Sequence, residues 1–290
     1  MHRYLASAGL NQLKNNADVD KFLYGELICG ENLYAEYKNE GECILKEYRL
    51  SIAENISLIA ITESYPSGRE RIISYFPYLH QNEVFSAENC TVEEHIAGES
   101  YSGFIEDYKI GISIIFYISN NLDYRKMAET NPDKHFNKTY LSAFGSEGRI
   151  ILPIEKKQID ENEFKTNKDS ENLIEAAKEG DENAIEILTE AEMDTYSEVM
   201  KRIGNEDVYS IVESSCIPSG VECDIYSVIG EIEDIKTVKS IYTSELIYIL
   251  KLNCNDIVFP MAIAESCLYG VPEVGRRFKG KIWLQGRVSE

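Results

Sequence analysis

Between Leu33 and Leu79 the sequence breaks into four short runs, LYAEYKN, ECILKEYRLSI, ISLIAITESY and RERIISYFPYL, each rich in Tyr, Ile and Leu. Their β-branched and aromatic content suits a pleated, half-buried strand better than a helix. Asn39-Glu40-Gly41, Glu54-Asn55 and Pro66-Ser67-Gly68 stand between them as turn signals, so successive antiparallel hairpins are expected rather than crossovers. This pattern commits the first part of the chain to an antiparallel sheet.

The flanks complete an N-terminal α+β domain over residues 1–154. Val19, Phe22, Leu23, Leu27 and Ile28 recur at helical spacing behind Asn16 as the expected cap, and Gly30 ends the helix. Gln81 to Gly103 reads as a looser stretch. Tyr108 to Ser119, YKIGISIIFYIS, is apolar on both faces and is expected as a buried central strand. A polar interval with Asn131-Pro132-Asp133 follows, and then a strand between Tyr140 and Ile154 containing GRIILPI.

Residues 155–222 differ in kind. From Glu155 to Asp207 there are 17 acidic and 7 basic residues. Glu155 to Asp169 has the composition of an exposed linker. Behind it, Ser170 caps one expected helix and Asp181 a second bearing Ala184, Ile185 and Leu188. Thr189 and Glu192 form a capping box for a third, which Gly204 stops. From 223 to 290 the character is β again: DIYSVIGEI, SELIYILKLN, DIVFPMAIA and FKGKIWLQGRV are expected to close a small, OB-like antiparallel barrel of about five strands. Pro260 argues that its strand lies at an edge or bulge. The fold class is therefore α+β, with a β-rich N-terminal domain, an acidic helical middle and a C-terminal β-barrel-like domain.

Composition narrows the function. Against 29 Lys and Arg stand 50 Asp and Glu, a net charge of −21 that repels phosphate backbones and anionic membranes. No run approaches the ~20 apolar residues of a membrane-spanning helix, and Ser7, Asn11 and Gln12 interrupt any leader-like stretch. The expectation is a cytoplasmic protein. Its seven cysteines are scattered without a Cys-x-x-Cys pair and its four histidines lie far apart, so reduced thiols and no metal site are expected.

Motifs for chemistry are few. Neither a phosphate-binding glycine loop followed by Lys and Ser/Thr nor a dinucleotide fingerprint is present, and no cofactor is expected. His95 to Gly103, HIAGESYSG, approaches a nucleophile elbow, but its second glycine falls one residue late and the strand and helix that should flank it are missing. Glu93 and Glu94 beside His95 read as a solvated acidic surface.

One segment runs against the general charge. In GVPEVGRRFKGKIWLQGRVSE, Arg276, Arg277, Lys279, Lys281 and Arg287 face only Glu273 and Glu290, and Trp283 is the one tryptophan of the chain. Arg276, Arg277, Lys279 and Trp283 are the candidate ligand-binding residues, since Arg forks recognise carboxylate and phosphate and a basic, aromatic strand on a small barrel can stack bases. The competing reading is structural, with the cationic strand docked on the acidic helices and Trp283 as core filler. It is favoured because the net charge of −21 disfavours polyanions and the five cations are not expected all to share one face.

MHRYLASAGL at the start, LIEAAKEGDENAIEIL and MDTYSEVMKRIGNEDVYSIVES in the middle and GVPEVGRRFKGKIWLQGRV at the end together resemble an uncharacterised, full-length family of Clostridia-type Firmicutes proteins, a domain of unknown function. The resemblance implies a cytosolic protein and transfers no activity and no functional residue. The sequence thus reads as a non-catalytic binding or regulatory protein acting through protein contacts, with a small anionic ligand compatible, membranes excluded and nucleic acid disfavoured. The alternatives are an enzyme acting on an anionic small molecule, with the three C-terminal cations as clamps, and single-stranded nucleic acid binding by the barrel.

Overall fold

The fold is seen in a computed structural model that describes residues 2–30, 32–38, 43–86, 90–96, 100–107, 112–130, 136, 138–153, 176, 181, 183–187, 189, 212–219 and 224–289. The chain divides into two compact units, residues 1–152 with 214–290, and residues 153–213.

The first unit opens with buried Tyr4, Leu5, Ala8 and Leu10. Helix α1 (Asn16–Phe22) runs on into a π-helical segment, Leu23–Ile28, whose Leu23 and Leu27 are buried. The cap is Asn15 rather than Asn16, with its side-chain oxygen accepting from the Asp18 N–H at 2.9 Å. Strands β1 (Leu33–Lys38), β2 (Ile44–Ala53), β3 (Ile56–Ser64) and β4 (Glu70–Leu79) form an antiparallel sheet in sequential order. The expected turns place Asn55 at φ 63° and Gly68 at φ 80°, conformations that Asn and Gly adopt at least cost.

The stretch expected to be loose instead holds a hairpin, β5 (Cys90–Ile96) and β6 (Ser100–Asp107), and the polar interval holds helix α2 (Asn121–Thr130). Polar, acidic residues on the solvent side of these elements masked their periodicity. Between them β7 (Ile112–Ile118) buries Ile114, Phe116 and Ile118, while Ile115 and Tyr117 are only half-buried, so it alternates rather than being apolar on both faces.

Strands β8 (Lys138–Ile151), β10 (Ile225–Lys239), β11 (Leu246–Cys254), β12 (Ile257–Ala264) and β14 (Arg277–Ser289) close a five-stranded barrel; β9 (Ser215–Pro218) pairs with β10, and β13 (Leu268–Tyr269) with β8. β10, β11 and β12 are an antiparallel meander, β12 meets β8 in parallel, β8 pairs antiparallel with β14, and β14 returns antiparallel to β10. This ring has the pairing order and directions of an OB barrel whose closing strand precedes the meander instead of following it. The fifth strand is thus β8, which the sequence reading grouped with the first domain. Pro260 lies inside the ring and not on an edge: it pairs with Lys251 on one side, and the parallel pairing with β8 begins only at Met261.

Alternation along the barrel strands feeds two cores. Inward-facing Val228, Leu250, Leu252, Phe259, Met261, Phe278, Ile282 and Leu284 pack in one cluster with Phe116 and Ile118. Outward-facing Ile247, Ile249, Ala262, Ala264, Phe144 and Trp283 pack in a second with the N-terminal residues, α1 and the four-stranded sheet. Gly148 and Gly280 are register partners, and a Cβ on either would overlap its surroundings, the Phe278 ring in the case of Gly148.

In the second unit Asp181 caps as expected, its carboxylate accepting from the N–H groups of Asn183 at 2.9 Å and Ala184 at 3.2 Å, with Ala184 buried and residues 183–187 helical. The expected linker at 155–169, the helix capped by Ser170 and the helix from Thr189 to Gly204 lie outside the described residues.

Candidate functional site

Four of the five C-terminal cations, Arg277, Lys279, Lys281 and Arg287, stand two residues apart or a multiple of two on β14 and share one face, while the fifth, Arg276, precedes the strand. What differs along that face is what covers it.

At the start, Arg276 precedes the strand, pairs with Glu273 at 2.9 Å and reaches the Val271 carbonyl at 3.5 Å. Arg277 is buried and donates from Nε to the Leu152 carbonyl at 2.9 Å. Further along, Trp283 is 5% exposed. Its Nε1 donates to Asp224 Oδ2 at 2.8 Å, Tyr4 stacks on it with centroids 5.6 Å apart, and His2 lies at 4.7 Å. Gln285 is fully buried against the Pro77 carbonyl, and Arg287 lies 3.8 Å over the Tyr140 ring. The four candidate residues therefore do not converge. Of them only Lys279 reaches an open site.

That site is a cleft of about 850 Å³ over the outer face of β10, β14, β8 and β13. Two cross-strand rows make its floor. In one, Ser227, Lys281 and Glu147 are in register; in the other, Lys279, Arg149 and Tyr269 are. Arg3 and the Ser266-Cys267 turn also border it. Between Lys281 and Ile282 the register shifts because Ser146 is an extra residue in β8, a bulge whose hydroxyl donates to the Lys281 carbonyl at 3.4 Å. Beneath, the Tyr4 hydroxyl is buried next to Arg3 and Ser146 without a well-formed hydrogen bond to either. Burial raises its pKa, so it is a neutral hydroxyl at physiological pH.

Electrostatics set the character of this cleft. Arg149 and Lys279 are register partners on adjacent strands, with Cβ atoms about 5 Å apart in such a pair. Among the described residues, Arg3 and Lys281 add two more cations to the lining and Glu147 a carboxylate. In a chain of net charge −21 this is a local reversal of sign. A concave surface with several cations and hydroxyl donors can hold an anion by charge-assisted hydrogen bonds. Arg149, Arg3 and Tyr4 were not legible as site residues, because only the pairing of β8 with β14 and the docking of the N-terminal residues bring them to Lys279 and Lys281.

Other candidates from sequence resolve differently. Ser100 and Ser102 lie on β6, across a hairpin from His95 on β5, and not on a strand-to-helix turn. Among the described residues six cysteines are free; Cys90 and Cys254 are buried, and burial pushes the thiols of Cys90 and Cys216 up to about 11, which keeps them protonated. Among the described residues no three His, Cys, Asp or Glu side chains gather to hold a metal, and no helix is long and apolar enough to cross a membrane.

A family model described as a domain of unknown function from an E. rectale gene description, DUF3881, matches residues 5–286. No curated protein and no solved structure matches the chain.

Proposed function

The chain belongs to the DUF3881 family, whose description brings no activity with it, and from that premise we propose that it is a non-catalytic cytoplasmic binding module that takes a small anion in the basic cleft and acts through protein contacts. The observation that carries this reading is the lining of the cleft, where Arg3, Arg149, Lys279 and Lys281 come together with the hydroxyl of Ser227. The protein-contact half is supported by the end of β13 and the loop beyond it, where Tyr269, Val271 and Val274 are 78%, 64% and 63% exposed.

Two other readings have less support. For an enzyme on an anionic substrate, the three proposed clamps point to separate partners, and the acid of the cleft is an exposed glutamate facing a lysine. For single-stranded nucleic acid, an OB barrel offers the face of its second and third strands. Here those strands are β11 and β12, and their outward Ile247 and Ala264 are fully buried, as is most of Trp283.

The test is isothermal titration with inorganic phosphate and pyrophosphate at low ionic strength, in the native protein and in Arg149→Gln and Lys281→Gln. Saturable binding that either substitution weakens is expected. No binding of either anion by the native protein ends the proposal.

A further inference from the structure

Resting on that reading, we infer that the cleft and the exposed end of β13 form one docking surface, which takes a segment of a partner protein carrying a carboxylate beside apolar side chains, and that a small anion in the cleft competes with this segment.

Arg149 and Tyr269 are register partners on β8 and β13, and both side chains are exposed. Neighbouring strands lie about 4.8 Å apart, so a cation and a flat apolar face stand side by side in the lining of the cleft. Inorganic phosphate would engage the first and leave the second in water. A ligand that uses both brings a carboxylate and an apolar group together within one or two residues, as a short peptide does.

The apolar side continues past the strand. Val271 follows Tyr269 by two residues and is also exposed, while Pro272 behind it is buried and the Val271 carbonyl accepts from Arg276 at 3.5 Å. The loop is thus tied down with apolar side chains left in solvent, a surface that gives up little conformational freedom when covered.

The cationic side continues too. Arg3 and Lys281 line the same cleft, and the row of Lys281 is two residues from that of Arg149 along β8 and β14. Two residues of strand span about 7 Å, which is also the distance between alternate side chains of an extended peptide, so a segment lying along β8 can set acids at i and i+2 on the two rows. Glu147 shares the second row, which makes Arg149 the principal anchor. The charge of the chain, −21, repels extended polyanions, whereas a peptide with one or two acids brings only the charges that the cleft matches.

Selection of random peptides displayed on phage against the native protein tests this, with the Tyr269→Ser/Val271→Ser double variant as counter-target. Enriched sequences should set Asp or Glu within two residues of an apolar residue. The strongest of them, synthesised, should bind the native protein about tenfold or more tighter than the double variant, the factor that burying one large apolar side chain provides. Arg149→Gln should weaken it as well, and pyrophosphate should displace it. Both residues of the double variant are exposed, so its melting curve should match that of the native protein. No enrichment, enriched peptides without acids, or peptides that bind the double variant equally well would each overturn the inference; if pyrophosphate still binds in titration, the anion cleft stands. Pyrophosphate that binds without displacing the peptide would also overturn it, since the two sites are then separate. If neither pyrophosphate nor any peptide binds, the reading of the cleft fails with it.

Discussion

Trp283 donates its indole N–H to the Asp224 carboxylate at 2.8 Å while its ring lies under Tyr4, so the one tryptophan of the chain ties β14 to the N-terminal residues instead of meeting solvent. Asp224 also accepts the Leu284 N–H through its backbone carbonyl at 2.9 Å, which fixes the carboxylate relative to β14.

Trp283→Ala should therefore cost about 3–5 kcal/mol, the range for emptying a large aromatic site in a core. Trp283→Phe should cost less, about 1–3 kcal/mol, most of it from the lost partner of a half-buried carboxylate. Denaturant unfolding followed by circular dichroism measures both. Native fluorescence should be blue-shifted and move to the red on unfolding; a solvent-like native emission would contradict the burial of Trp283.

Gln285 acts as a substitute backbone. Its amide donates to the Pro77 carbonyl at 2.6 Å and accepts the Leu79 N–H at 3.4 Å, and its register partner Ser142 donates to the Leu79 carbonyl at 3.1 Å. Two side chains thus satisfy the end of β4 where no strand does. Gln285→Leu should destabilise by about 2–4 kcal/mol, since two buried backbone groups lose partners. Gln285→Glu should cost at least as much at neutral pH and less in acid, where a protonated carboxyl can again donate to Pro77. Unfolding curves at pH 4.5 and 7.5 would separate the two variants.

Arg149→Glu reverses the sign of one member of the like-charged pair. Loss of phosphate binding is expected, since the substitution puts a carboxylate in the lining of the cleft. A variant that is both less stable and still binds phosphate would show that Arg149 serves the fold and not the cleft.

His2 gives the protein a pH dependence of definite sign. Burial lowers its pKa from 6.5 to about 4, so the folded state binds fewer protons than the unfolded state between those values. Stability is complete above 6.5, falls as the pH drops from 6.5 to about 4, and loses nothing more from this group below that. His2→Gln should flatten the stability profile in that window while leaving the neutral-pH value within about 1 kcal/mol, if the hydrogen bond from the residue 2 N–H to the Tyr75 hydroxyl is kept. Unfolding free energies at pH 4, 5.5 and 7 in the two proteins decide it.

Gly286 and Gly103 flank the Phe116 ring so closely that a Cβ on either would overlap it. Gly286→Ala should therefore destabilise by about 1–3 kcal/mol, as overpacking does. Combining it with Phe116→Leu should recover part of the loss if the clash is the cause, and calorimetric melting of the single and double variants checks this.

The sequence by itself determined the local pieces. The hairpin signals at Glu54-Asn55 and Pro66-Ser67-Gly68 set the order of β1 to β4, the alternation in SELIYILKLN marked β11, and the full-length strings marked the family. Spacing of two or of three to four tells which residues share a face, and turn residues tell where the chain reverses. Neither tells which distant strand a face will meet. β8 closes the barrel against β14 across more than a hundred residues of chain, and that non-local pairing put Arg149 opposite Lys279. The same pairing left Lys279 and Lys281 in the cleft while the docked N-terminal residues and the first sheet buried Trp283 and Gln285 on the identical face. A strand's own pattern fixes its faces but not their covers. Only the tertiary structure could decide which part of the cationic ribbon became a site and which became core.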